Sequence, residues 1–144
     1  MTFLVERLAD LRRHLDHLDR LRPTVRSAEE LRANLSLHND VLFSLLTVCQ
    51  LVIDIAGELA GRRGDRYDDY VGAVRSLAND PRFPPALVRA LAGLPGFRNV
   101  LVHEYVALDM NRVIDALDRL EPIRQFMALV ADIERSAPEP DPQT

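Results

Sequence analysis

Histidine is the side chain that changes charge near neutral pH. This 144-residue chain has four of them, and His103 stands among partners for a reaction. Arg98 precedes it by five positions, Asn99 by four, and Tyr105 follows by two. Breaking a phosphodiester that has a neighbouring hydroxyl, as RNA does, requires a base for the hydroxyl proton and an acid for the leaving oxygen. It also requires a cation for the charge on the phosphorane. Histidine serves as acid or base, and arginine is a permanent cation. Residues four apart share a helix face, so Asn99 is expected to reach and orient the His103 imidazole. Five positions turn a helix by about 140°, so Arg98 does not stack under His103, yet its long side chain can swing toward the same phosphate. One chain offers one such histidine. An acid–base pair then needs a helper residue or a second copy, and a two-fold dimer would bring two His and two Arg to one cleft. Spacing alone assigns no function, because an Arg and a His five apart occur by chance in many helices.

The other histidines carry weaker signals. His14 and His17 lie three apart near Asp10 and Asp16, but no second ligand pair stands at metal spacing elsewhere, so they read as a wet helix face and no metal is expected. His38, beside Asn39 and Asp40, reads as a surface residue. The single cysteine, Cys49, falls at an apolar position of a helical pattern and reads as core. One cysteine excludes an internal disulfide framework and suits a reducing compartment.

Composition narrows the class further. Apolar residues are 47% and charged residues 28% of the chain, as in a globular domain; aromatics are 6% and Trp is absent. The core must be aliphatic. Charge interrupts the N-terminus within Met1–Arg7, before a signal-peptide apolar region forms. The most apolar stretch, 42–60, is broken by Gln50, Asp54 and Glu58 and reads as too polar to span a membrane. The expectation is a cytoplasmic protein without a membrane partner. Net charge is −4, and every one of the 18 basic residues is Arg. The acidic balance does not mark a nucleic-acid binder, although arginine's planar fork suits phosphate.

Helices must position the candidate residues, and the pattern supplies them. Leu4, Leu8, Leu11, Leu15 and Leu18 form a two-heptad seam after Thr2 as a possible cap, and Arg22-Pro23 ends it. Ser27 with Glu30 has the capping-box form. An apolar pattern then runs from Leu31 to Leu59 without Pro or Gly before Gly57, which predicts one central helix of about 30 residues or more starting at Ser27. Gly61 to Arg66 reads as a solvated turn carrying Arg62, Arg63 and Arg66. A third helix fits 67–77, Pro84-Pro85 opens a fourth, and Pro95-Gly96 closes it. A short helix from Phe97 to about Tyr105 carries the candidate residues. Asp109 caps a last helix that Pro122 should bend or split. Residues 1–136 are expected to form one all-α antiparallel bundle, and the Pro-rich tail 137–144 to be loose.

The stretch from Gly96 to Tyr105, Gly-Phe-Arg-Asn-Val-Leu-Val-His-Glu-Tyr, resembles the motif of HepT-like toxins in the HEPN ribonuclease superfamily. That motif is an Arg, a polar residue, a short spacer, a His, any residue and a Tyr. The Ile53-Asp54-Ile55-Ala56 segment resembles the family's central helix, and Leu108-Asp109 its step into the last helix. The resemblance implies a HEPN-like bundle that works as a homodimer and as a metal-independent endoribonuclease without a cofactor. It implies the toxin of a type VII-like toxin–antitoxin module, with transfer RNA as substrate class. Arg98 and His103 would be the catalytic pair and Asn99 the supporting polar residue. The antitoxin would be a minimal nucleotidyltransferase that moves AMP from ATP onto Tyr105. Two other classes remain: a catalytically silent HEPN module that binds RNA or a nucleotidyltransferase, and a plain helical oligomerisation protein built on the leucine seam.

Overall fold

The computed structural model describes residues 3–136, so Thr2 and the Pro-rich tail lie outside the described residues. The described residues contain eight α-helices, two short 3-10 turns and no strand. The helices are α1 (Phe3–Leu21), α2 (Ala28–Ala33), α3 (Leu35–Arg63), α4 (Tyr70–Arg75), α5 (Pro85–Leu91), α6 (Leu94–His103), α7 (Met110–Leu117) and α8 (Glu121–Ser136).

The leucine seam buries as its spacing requires: Leu4, Leu11, Leu15 and Leu18 are fully covered. They pack α1 along α3. The cross-links run in opposite directions along the two helices, with His14 on Ser44 and His17 on Asp40, so the pair is antiparallel. Around α3 also sit α4 and α6, while α8 closes over α1 and α5. The core is almost wholly aliphatic, with Phe83 and Phe126 meeting at 5.9 Å.

The expected continuous helix from Ser27 is two helices. Ser27 does cap its helix, accepting from the Glu30 amide, but the backbone turns extended at Asn34 (φ −90°, ψ 96°) and restarts. The Asn34 side chain accepts from the Leu37 amide at 3.1 Å, a cap worth about 1 kcal/mol. The break frees α2 to pack on α7 with Leu31 buried, and leaves Leu35 exposed at the corner. Neither Pro nor Gly marks the position; an Asn offers both turn and cap chemistry, which the apolar pattern concealed.

At the other end α3 runs on through the expected turn as far as Arg63 and stops at Gly64, whose φ of +76° is left-handed. Arg62 bonds Glu134 on α8 at 2.6 Å, and Arg63 bonds Asp65 and the Ser76 carbonyl. These two arginines anchor the helix end and do not form a solvated loop. An L side chain at Gly64 is strained, so Gly64→Ala should lower the thermal midpoint by a few degrees, about 1 kcal/mol. An unchanged midpoint in calorimetry would refute that cap.

By length and composition alone α3 could cross a membrane, with a mean hydropathy of 1.8 over its most apolar 18 residues. Its apolar residues instead meet α1, α4 and α6, and it serves as the bundle's central helix. Pro122 splits the last helical region as expected, sitting in the first turn of α8, where its missing N–H costs nothing.

Candidate active site

The helix that carries the motif starts earlier and ends sooner than its sequence predicts. Pro95 sits in the first turn of α6, so Pro95-Gly96 opens the helix rather than separating it from α5. The last residue of α6 is His103, followed by Glu104 at φ −125° and a turn closed by the Ala107 amide on the Glu104 carbonyl. His103 is exposed at this helix end, and Tyr105, 57% exposed, stands in the turn beyond it. A continued helix would hold Tyr105 roughly 160° away from His103; the early stop removes that constraint.

Arg98 is half-buried between α6, α3 and α4. Its Nε donates to Gln50 Oε1 at 3.0 Å and its Nη1 to Asn99 Oδ1 at 3.1 Å. The guanidinium carbon lies 5.4 Å from the centre of the Tyr70 ring, within cation–π range. Gln50 in turn donates through Nε2 to Asp54 Oδ1 at 2.9 Å, one helical turn further along α3. No carboxylate pairs with Arg98 among the described residues. A guanidinium has five N–H donors, of which Gln50 and Asn99 take two, so three are left. Its charge is held by neutral groups and faces a hollow of about 340 Å³ lined by Leu46, Thr47, Gln50, Leu51, Arg98 and Val102.

Asn99 therefore does something other than expected. Its carbonyl receives Arg98, and no hydrogen bond joins Asn99 to His103 among the described residues. Arg98 and His103 share one helix, about 7.5 Å apart along its axis. No hydrogen bond joins the two side chains among the described residues.

Sequence reading missed Gln50, Asp54 and Tyr70. The first two were visible only as polar interruptions of the apolar run, yet polar residues four apart on a core helix are themselves a signal of a shared buried partner. Tyr70 had none, because its place depends on how α4 docks. The Gly57 position does show that docking: a Cβ there would lie 2.8 Å from the Tyr67 hydroxyl, so Gly57 lets the segment before α4 close against α3.

The remaining candidates resolve as structure. His14 Nδ1 meets Ser44 Oγ at 3.1 Å and His17 Nε2 meets Asp40 Oδ1 at 2.7 Å, so the expected wet face is a polar seam between α1 and α3. Burial lowers the pKa of His14, and Arg13 adds to the effect. His38 is half-buried rather than on the surface, with its Nδ1 covered and lacking a hydrogen-bond partner. Cys49 is core, and burial pushes its thiol up to about 12, which removes it from nucleophilic chemistry. Among the described residues no group of His, Cys, Asp or Glu is arranged to hold a metal ion.

With that geometry in place, the HepT-like ribonuclease family profile matches residues 11–130. The chain belongs to the HepT-like ribonuclease family. A candidate RNase of Archaeoglobus fulgidus is 28% identical over 83 residues, an alignment that covers 58% of this chain and 63% of the relative's length. Among solved structures, a tri-AMPylated HEPN toxin of Shewanella oneidensis, in complex with an MNT antitoxin, superimposes with a TM-score of 0.79. It is 20% identical, with 92% of this chain and 99% of the toxin covered. A toxin–antitoxin complex with AMP-PNP gives 0.78 at 20% identity, with 90% and 99% covered. These likenesses establish the all-helical HepT-like fold, with the Arg98–Tyr105 stretch inside the matched region.

Proposed function

We propose that this protein is a metal-independent endoribonuclease toxin, with Arg98 and His103 as its catalytic residues. The observation that carries the reading is the state of Arg98. A HepT-like chain holds a half-buried, unneutralised guanidinium with three open donors, one helix turn and a half from an exposed histidine. In the reaction His103 takes the ribose 2′-hydroxyl proton or returns one to the leaving 5′-oxygen, while Arg98 binds the phosphorane oxygens. Asn99 supports Arg98 from its own helix.

In an in-line displacement the entering and leaving oxygens lie on opposite sides of the phosphorus. One His does not serve both at once, so a helper residue or a second chain supplies the other role. A two-fold homodimer with both motif helices at one cleft completes the pair. The substrate class is transfer RNA by family resemblance. The partner is a minimal nucleotidyltransferase antitoxin, supported by the complexes in which similar folds occur. The lone cysteine, Cys49, suits a reducing compartment, which supports the cytoplasm as its site of action.

The test is cleavage of a transfer RNA pool in excess chelator. The expected products end in 2′,3′-cyclic phosphate, and sedimentation at micromolar concentration should show a dimer. Activity lost in chelator and restored by magnesium would refute the mechanism, and a fully active monomer would refute the shared cleft. A dimer that binds RNA without cutting it would mark a silent binding module instead.

A further inference from the structure

We propose that Gln50 and Asp54 are positioning residues that aim Arg98, with the Gln50 amide serving as a neutral relay between the Asp54 carboxylate and the guanidinium. The proposal rests on the ribonuclease reading for what Arg98 does, but on the hydrogen bonds alone for how it is held. A carboxylate only accepts, so Asp54 Oδ1 fixes which end of the Gln50 amide faces it: the NH2 group. The carbonyl end must then face Arg98, and there it accepts the Nε–H. Without Asp54 the amide can rotate by half a turn and set its own N–H groups against those of Arg98. The two residues are one helical turn apart on α3, so the pair is built into the central, best-packed helix rather than into a loop.

The choice of a neutral amide has a chemical reason. A carboxylate placed directly on Arg98 would orient it equally well, but would neutralise it and compete with the substrate phosphate for the same fork. An amide takes only the Nε–H and leaves the charge whole. Nε is the donor nearest the stem, so one bond there fixes the plane of the guanidinium and the direction of the three open N–H groups. Asp54 lies a residue length away from the cation and shapes the site through geometry.

Gln50→Met, close in volume and without the acceptor, should lower kcat by about 10- to 100-fold, the scale of a misplacement near 1 Å. KM should stay within about twofold, since the interaction lost is one made in the transition state. Asp54→Leu, close in shape and without an acceptor, should lower kcat in the same direction. The double variant should be no worse than Gln50→Met alone, because Asp54 acts only through Gln50. A second readout is independent of turnover: the Arg98 Nε–H, held in its bond to Gln50, should give a slowly exchanging NMR resonance that both single variants lose. If Gln50→Met fails to fold, Asp54→Leu decides by the same two measurements. Losses that multiply in the double variant, or a resonance retained in Asp54→Leu, overturn the relay. Wild-type kcat in Gln50→Met, with Arg98→Ala inactive, overturns it while leaving the ribonuclease reading intact. An active Arg98→Ala removes that reading itself, and the NMR result then still judges the relay.

Discussion

His103→Ala is expected to lower RNA cleavage by about 10²–10⁴-fold, the usual contribution of a general acid or base, and to leave the fold unchanged. The structural half of this expectation follows from position: His103 is exposed at the last residue of α6 and supports nothing in the core. Arg98→Ala lowers cleavage by about 10²–10³-fold, the scale of losing one preorganised donor group at a charged transition state. Arg98 is half-buried and bonded to Gln50 and Asn99, so a small loss of stability accompanies it, about 1 kcal/mol or a few degrees. In a dimer with a shared cleft, mixing the two inactive variants should restore a fraction of the activity if the two residues act from opposite chains. Cleavage assays alongside thermal melts decide the matter. Equal activity in wild type and both variants would remove the catalytic assignment, and a loss of many degrees in His103→Ala would make it structural.

The second large effect concerns Tyr105. Incubation with the partner nucleotidyltransferase and ATP should add one or more AMP units to this residue and abolish cleavage. The geometry supports an acceptor role. Tyr105 stands in the turn that follows α6, 57% exposed, so its phenol is open to an enzyme that must bring ATP to it. The neighbouring Val106 is 77% exposed, and an apolar side chain so open suits a contact surface. The transfer joins the phenolic oxygen to the α-phosphorus and releases pyrophosphate. Each AMP would add bulk and a phosphate charge to the turn beyond His103, where it should block the RNA phosphate by occupancy and by competition for the guanidinium. Intact-mass spectrometry of wild type and Tyr105→Phe reads the outcome. The same mass gain in the phenylalanine variant, or an AMP-bearing protein that still cuts RNA, would refute the control point.

How much of this was legible in advance varies by element. The α1 seam and the caps at Ser27 and Asp109 came directly from residue type and spacing, because each depends on contacts within a few residues of itself. The break at Asn34 did not, since a helix-compatible run conceals an N-cap unless a partner such as α7 draws the preceding turn away. The start of α6 was misplaced for a related reason. Pro95-Gly96 is a stop signal by composition, but proline is equally at home in a first turn, and the choice lies with the burial of Pro95.

The amino-acid sequence by itself determined an all-helical chain with an aliphatic core and an Arg98–His103 pair on one short helix. Those features are local, set by periodicity, by propensity and by residues close along the chain. Tertiary structure decided how the motif is set: that Asn99 serves Arg98 rather than His103, that Gln50, itself bonded to Asp54, reaches Arg98 from 48 positions away, and that the Tyr70 ring lies beside it. It also turned the His14 and His17 face into a seam between helices. The physical reason is that hydrogen bonds and cation–π contacts act over a few ångströms. Which polar groups come that close is set by how α3, α4 and α6 pack, and no spacing along the chain encodes it.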